Sequence, residues 1–395
     1  MSGTDRAGYN VKQTGGFSAY IPSPLPPAPE LDLRRLVGAL STADQALGRL
    51  DGATRLLPDA DLFLAMYVRH EALLSSQIEG TDCTLDDVLA FELDKASADV
   101  PGVDVQEVVN YVAALNYGIA QLSSLPISGR LLRGVHQHLL REGRGSEKSP
   151  GEFRRTQNWI GPTGCSLDKA TFVPPPVEQM LSAVSDLEKF IDASKERPEV
   201  LPLLIVCGLV HAQFETIHPF QDGNGRIGRL LITLLLCERG ALEAPVLYLS
   251  TYLRRHRSRY FDRLTDVRFE GDWESWLEFF LHGVAETAND AAETAQQLHS
   301  MREDHRHRLE KVGGRANDFA FLDCLYTQPL VNAKWVGQAI NVTPATANNV
   351  LTRFEQSGIL REITGYARNR VFRYDEYLSL FDQHDGDDLS DETVA

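Results

Sequence analysis

Residues 218–229 read HPFQDGNGRIGR, and they gather an imidazole, a carboxylate, an amide and two guanidinium groups around tight glycines. Such a mixture is costly as core and unnecessary in a plain loop. Gly223 and Gly225 can take φ > 0 and let a ligand approach the main chain. Successive amide N–H groups there can form an anion-binding concavity. The apolar run Ile227 to Cys237 reads as a buried helix that begins at these glycines. A helix start offers unpaired N–H donors and a positive dipole end, which favours phosphate. Arg226 and Arg229 are three apart, so both can face the same side of the first turns. Asp222 is placed to hold Mg2+ through oxygen, the donor that hard cations prefer. His218 stands four residues before Asp222, at the rim, where a base is needed.

The string resembles the signature of the Fic family, HPFx(D/E)GNGRxxR, and agrees at all nine specified positions of the twelve. The resemblance implies a mainly α enzyme: a Fic-type helical bundle with a β-hairpin flap, moving AMP from ATP onto a protein hydroxyl. By position it makes His218 the general base and Phe220 the core anchor of the loop. Asp222 becomes the Mg2+ ligand. Gly223, Asn224 and Gly225 form the anion hole, and Arg226 and Arg229 bind the phosphates. The chemistry then follows. A neutral hydroxyl is a poor nucleophile, and histidine supplies a base with a useful pKa. The rest is positioning and charge stabilisation at phosphorus.

Other readings stand beside this one. Gly223 to Gly228 also fits G-x-G-x-x-G, but that fingerprint needs a strand before it and a parallel sheet around it. A zinc site from His211, Glu215 and His218 lacks the H-E-x-x-H spacing. His211 is expected instead to pack behind the loop. A purely structural loop leaves the arginines and the carboxylate without a role.

At 395 residues the chain can hold two or three domains. Its net charge of −16 argues against wholesale nucleic-acid binding by charge. Five scattered cysteines without a C-x-x-C pair predict a reduced, cytoplasmic setting. No stretch approaches the roughly 18 apolar residues of a membrane span.

Four parts are expected: 1–104 as an N-terminal region with a regulatory helix, 105–312 as the catalytic domain, 313–380 as a winged helix-turn-helix domain, and 381–395 as an acidic tail. The Pro/Gly-rich first 30 residues predict an extended strap. Asp61 to Gly80 reads as a helix whose end is SSQIEG. Ser75 and Glu79 are four apart and share one face, and Gly80 suits the C′ position. These six residues resemble the inhibitory motif (S/T)xxxE(G/N) of the same family. That resemblance implies that Glu79 reaches Arg229, which a bidentate pair would hold, and keeps ATP in an unproductive pose. Ala96 to Gly102 reads as a turn-rich break.

Helices are expected at Val105–Leu122, Leu131–Arg141, Val177–Ala193 and Leu201–Phe214, with a polar loop at Gly143–Pro150. Cys165 to Val173, ahead of three prolines, suggests a short hairpin. By resemblance this is the flap that aligns the target segment, with β-augmentation as the mode. Phe172 and Val173 are then nearest the nucleotide and target, and Tyr260 is the candidate to pack on adenine. Trp273 to His307 reads as one long helix.

Gly313-Gly314 marks a boundary. Beyond it come three helices and two short strands, Ile359–Thr364 and Arg370–Tyr374, which make a winged helix-turn-helix. Thr343 caps the third helix with Pro344 at its first position, and Thr346, Asn348, Asn349 and Arg353 point outward. The module holds seven Lys/Arg against six Asp/Glu, a near balance that weakens DNA binding against protein contact or dimerisation. The expected function is a protein adenylyltransferase acting on Ser, Thr or Tyr of a target protein, itself included. Removal of AMP, transfer of another group, or nucleotide sensing by a transcription regulator are the alternatives.

Overall fold

The computed structural model describes residues 6–55, 60–93, 102–162 and 164–382. Residues 96–101 of the expected break, and the acidic stretch after Asp382, lie outside them. The chain opens on a hairpin, β1 (Tyr9–Lys12) and β2 (Ser18–Ile21), paired antiparallel with Asn10 opposite Tyr20. The expected strap is therefore partly a hairpin, since the sequence ahead of its prolines carries free N–H donors and a Gly15-Gly16 turn.

The helices follow in order. They are α1 (Leu33–Arg55), α2 (Ala60–Ile78), α3 (Leu85–Leu93), α4 (Val103–Gln121), α5 (Gly129–Leu139), α6 (Val177–Glu196), α7 (Leu203–Ile217) and α8 (Asn224–Glu238). Next come α9 (Ser250–Arg255), α10 (Arg257–Glu270) and α11 (Trp273–Lys311). The last part is α12 (Ala316–Leu325), β3 (Leu330–Asn332), α13 (Ala333–Ala339), α14 (Pro344–Gln356), β4 (Arg361–Glu362), β5 (Val371–Arg373) and α15 (Asp375–Asp382). The molecule is mainly α.

The centre is α7 with α8. Every residue from Leu204 to Ile217 is buried, as an all-round apolar helix must be. The 39-residue α11 runs past it, with Trp276 donating to the Gly208 carbonyl at 2.9 Å. A Cβ at Gly208 would stand 2.7 Å from Leu277, so a glycine permits that approach. Among the described residues no parallel sheet exists, which removes the dinucleotide-fold alternative. The 247–264 stretch divides at His256 into α9 and α10.

The C-terminal part forms a three-stranded antiparallel sheet in the order β3-β5-β4. Strand β3 was not expected, because three residues leave no alternation to read. The arrangement is compatible with a winged helix-turn-helix. Thr343 caps α14 by accepting from Thr346 N, with Pro344 in the first turn. Two expectations are corrected. Arg353 does not point outward but pairs with the buried Asp318 at 2.6 Å, tying α14 to α12. And α15 crosses the boundary drawn at 380, burying Tyr377, Leu378 and Phe381.

Candidate active site

The connection from α7 to α8 builds the site. Helix α7 stops at His218, which adopts φ 50 and ψ 59, the left-handed region. For a non-glycine residue such a backbone costs about 1–3 kcal/mol and persists only where its surroundings impose it. Here they do. Arg154 Nε donates to the His218 carbonyl at 2.9 Å, and Arg154 N donates to the Pro219 carbonyl at 2.9 Å. Asn158 Nδ2 donates to the Phe220 carbonyl at 2.8 Å. Asn224 grips the same residue twice, accepting from Phe220 N and donating to Phe220 O, both at 2.8 Å. The Phe220 ring is fully buried and stacks on His136, with centroids 3.9 Å apart and planes 7° from parallel. Gly223 then takes φ 77 at the N-cap, and α8 starts at Asn224. The glycine turn opening a buried helix is thus present. The Asn224 side-chain amide is spent on closing the loop.

His136 holds the turn from below. Its Nδ1 accepts from Gly151 N at 2.9 Å, so Nε2 carries the proton and donates to the Asp222 carbonyl at 3.1 Å. Burial pushes this imidazole down to about 4, so it stays neutral. The Asp222 side chain is 38% exposed, and its Oδ1 accepts from Gly223 N at 2.6 Å. Its Oδ2 faces Gly145, 3.0 Å from where a Cβ would be. The 143–150 loop therefore borders the carboxylate, a neighbour that polarity alone did not reveal.

The two arginines are both buried and both already engaged. Arg229 Nε donates to Ser75 Oγ, and its Nη2 to the Ser75 carbonyl and to Glu79 Oε1, each at 2.8 Å. The contact with Glu79 is through one oxygen, not the expected bidentate fork, and Ser75 takes the Nε donor and shares Nη2. Burial pushes the Glu79 carboxyl up, but the Arg229 guanidinium outweighs it, and the group lies below its usual range. Helix α2 ends so as to deliver it. Gly80, at φ 93, donates to Gln77 O at 3.0 Å, and Thr81 N reaches Ser76 O at 3.2 Å, the two bonds of a Schellman motif. The Glu79 carboxylate lies directly over Gly225: a Cβ built there would stand 2.2 Å from Oε1. It covers the glycine expected to face a phosphate.

Arg226 pairs with Glu107 of α4 at 3.3 Å, and the two side chains are 2% and 1% exposed. Glu107 also accepts from Thr81 Oγ1 at 2.8 Å and meets Arg144 at 2.7 Å. Glu107 was not singled out in the sequence, because a carboxylate inside an amphipathic helix looks like any solvated one.

His218 is pushed down to about 4, first by burial and then by the guanidinium groups of Arg268 and Arg154. Arg268 itself is buried, with its plane 4.2 Å over the Phe172 ring. It donates to Thr216 Oγ1 at 3.2 Å and to the Glu215 carbonyl at 3.3 Å. The site thus combines a neutral imidazole, a glycine turn at a helix start, a half-exposed carboxylate and two buried arginines.

Comparison with known proteins fits this geometry. Residues 37–120 match the model described as Fic/DOC family N-terminal, and residues 126–236 match the Fic/DOC family model. The chain carries a Fic/DOC N-terminal region and a Fic domain. Among curated relatives, the protein adenylyltransferase Fic of Culex quinquefasciatus is 29% identical over 216 residues, 54% of this chain and 39% of that protein. Its namesake in Drosophila grimshawi is 29% identical over 251 residues, 63% of this chain and 47% of that protein. The chain therefore spans two fifths to half the length of these relatives. In fold it is similar to a Fic family protein from Desulfovibrio desulfuricans, with a TM-score of 0.57 and 20% identity over 88% of this chain and 97% of that one. A Fic domain containing signaling protein from Bacteroides thetaiotaomicron gives 0.53 at 16% identity, over 64% and 95% of the two chains.

Three expected contacts of this chain are corrected. The flap is reduced to one antiparallel bridge, Ile160 with Phe172, and between them lies a 3-10 turn at Leu167–Lys169. Phe172 is 5% exposed and turned inward between Tyr20 and Arg268, so its ring does not face the phosphate turn. Val173 gives its carbonyl to Tyr20 N at 2.9 Å, so the N-terminal hairpin already borders the flap. Tyr260 is buried, and its hydroxyl donates to His211 Nε2 at 2.9 Å behind α8. An aromatic ring so enclosed does not reach adenine in this conformation. His211, whose Nδ1 donates to the Gly228 carbonyl at 2.9 Å, packs behind the loop as expected. Among the described residues the zinc trio does not assemble; the one group with such spacing is Asp304, His305 and Glu376, far along the chain.

Proposed function

We propose that this chain is a protein adenylyltransferase held inactive by its own Glu79. The observation that carries the reading is the Glu79 carboxylate seated between Arg229 and Gly225, over the start of α8. The curated relatives' name supports the transfer of AMP from ATP. In the proposed reaction the triphosphate lies at the α8 N-terminus, with Arg226 and Arg229 on its oxygens. The neutral His218 imidazole takes the proton from a Ser, Thr or Tyr hydroxyl. The oxygen bonds to the α-phosphorus, and the bond to pyrophosphate breaks. Asp222 offers one accessible hard oxygen, the donor set Mg2+ uses when substrate phosphates complete its shell. When bound, Mg2+ would neutralise charge on the phosphates.

The low basicity of His218 comes from burial first and then from Arg268 and Arg154, which the Glu79 carboxylate offsets only in part. Arg268 and Arg154 penalise its protonation, and an incoming triphosphate would offset them and make it a better base. Arg229 cannot serve the γ-phosphate while it is held by Ser75 and Glu79. Displacing Glu79 is then the activating step.

Labelled-AMP incorporation tests both parts. Glu79→Gly is expected to raise labelling at least about tenfold, which corresponds to about 1.4 kcal/mol of lost inhibition. Adding His218→Ala is expected to abolish it. Equal labelling by wild type and Glu79→Gly would remove the inhibitory role. Equal labelling with and without His218 would remove the base.

A further inference from the structure

The near balance of charge in the C-terminal part conceals a segregation. A groove of about 910 Å3 lies between the start of α13, the exposed side of α14 and the turn that joins β4 to β5. Lys334, Arg368 and Arg370 line it with Asn348, Asn369 and Tyr366, and no Asp or Glu does. Tyr366 is 65% exposed at its rim.

The acids that balance the count are engaged elsewhere. Asp318 pairs with Arg353 and Asp323 with Arg302. Asp375 holds Arg361 and Arg373. Glu376 meets Arg308 and His305. The Glu362 carboxylate accepts from the Thr364 and Gly365 amides. Glu355 stands 3.8 Å from Arg370, the weakest of these contacts. Lys334 and Arg368 are exposed and, among the described residues, make no ion pair. The groove thus carries uncompensated positive charge on a chain of net charge −16. At ordinary salt the remaining negative charge is screened beyond about 10 Å, so the local field decides what binds there.

We propose that this groove binds duplex DNA. Lys334 and Arg368 supply phosphate contacts from either side of α14. Asn348 and Asn349, both exposed on that helix, present amides of the kind that read adenine edges. The B-form major groove, about 12 Å wide, admits an α-helix, whereas the deep and narrow groove of duplex RNA does not. Asn348 spends one Nδ2 hydrogen on the Pro344 carbonyl at 2.8 Å and keeps its Oδ1 and second hydrogen for a base edge, whereas an acidic peptide would use the two cations alone.

The test uses the full chain and a labelled 24-base-pair mixed-sequence DNA duplex, followed by fluorescence anisotropy from 50 to 200 mM salt. Binding is expected, weakening steeply with salt. Lys334→Glu with Arg368→Glu is expected to lower affinity at least tenfold at 50 mM. Arg368→Gln alone, a mild change on an exposed turn, is expected to reduce the slope of log K against log salt by about 0.9. His218→Ala is expected to bind as wild type, which keeps this result independent of the catalytic reading. Absence of binding at 50 mM salt, unchanged affinity in both variants, or equal binding of duplex RNA or polyglutamate would overturn the proposal.

Discussion

Arg268 is a buried cation with no carboxylate within ion-pair distance among the described residues. Its charge is spread onto the Phe172 ring, a threonine hydroxyl and a carbonyl. Such a guanidinium acts at a distance, and His218 is the group it acts on. It is a positioning and tuning residue, since it does not itself stand at the glycine turn. Removing the charge takes away one of the two guanidinium groups that depress the imidazole. Arg268→Gln, made in the Glu79→Gly background, is therefore expected to move the acid limb of the pH–rate profile upward by a fraction of a unit to about one unit. Arg268→Lys keeps the charge and is expected to leave the limb in place. A limb unmoved in Arg268→Gln would show that the Arg268 charge does not set the His218 pKa. Glu79 and Glu107 show the complementary case. Each sits on a buried arginine, yet only Glu79, 35% exposed at a helix end, has room to leave.

At the scale of elements, the site depends on how closely α7 and α8 approach. Gly228 stands on the inner face of α8, where a Cβ would be 2.3 Å from Glu215 Oε1 and 3.3 Å from the Phe214 ring. Neither neighbour can retreat, because both belong to the fully buried α7. Gly228→Ala is expected to cost about 1–3 kcal/mol, the usual range for an overpacked core. Urea unfolding would measure it, and a loss below about 0.5 kcal/mol would show that α7 yields. The same pair of helices explains what could be read from the string. An apolar run ending in a histidine, followed by glycines and a second apolar run, predicts two buried helices and a turn with little ambiguity. The flap was misjudged because its bridge is a single residue pair, and its burial comes from Tyr20, some 150 positions earlier in the chain.

At the scale of the whole molecule, several histidines are enclosed. His136 and His211 are buried at 0% and 1% exposure, and burial pushes both down to about 4. A histidine with a depressed folded-state pKa contributes stability that is complete above the unfolded value near 6.5. That stability is lost as pH falls toward 4, because the unfolded chain takes up the proton first. A shift of this size corresponds to about 3 kcal/mol for each group. Glu71 and Glu215, raised by burial to about 7, work in the opposite sense between pH 4.5 and 7, so the net profile is a poor guide. A comparison isolates one group. The stability gap between wild type and His211→Gln is expected to narrow by up to about 2 kcal/mol from pH 7 to pH 5. Urea titrations at the two pH values measure it, and a constant gap would mean that His211 is charged in the fold.

The order of residues alone settled the chemistry-bearing turn, the helix that follows it, the Ser75-to-Gly80 ending and the capped third helix of the C-terminal part. Each is a local matter, fixed by which side chains and backbone angles neighbours along the chain allow. Folding decided which charges meet. Glu107 found Arg226 across 119 positions, Phe172 turned inward under Tyr20, and the acids of the last module were drawn off to leave a basic groove. Coulomb forces and burial act through space, and separation along the chain carries no trace of them.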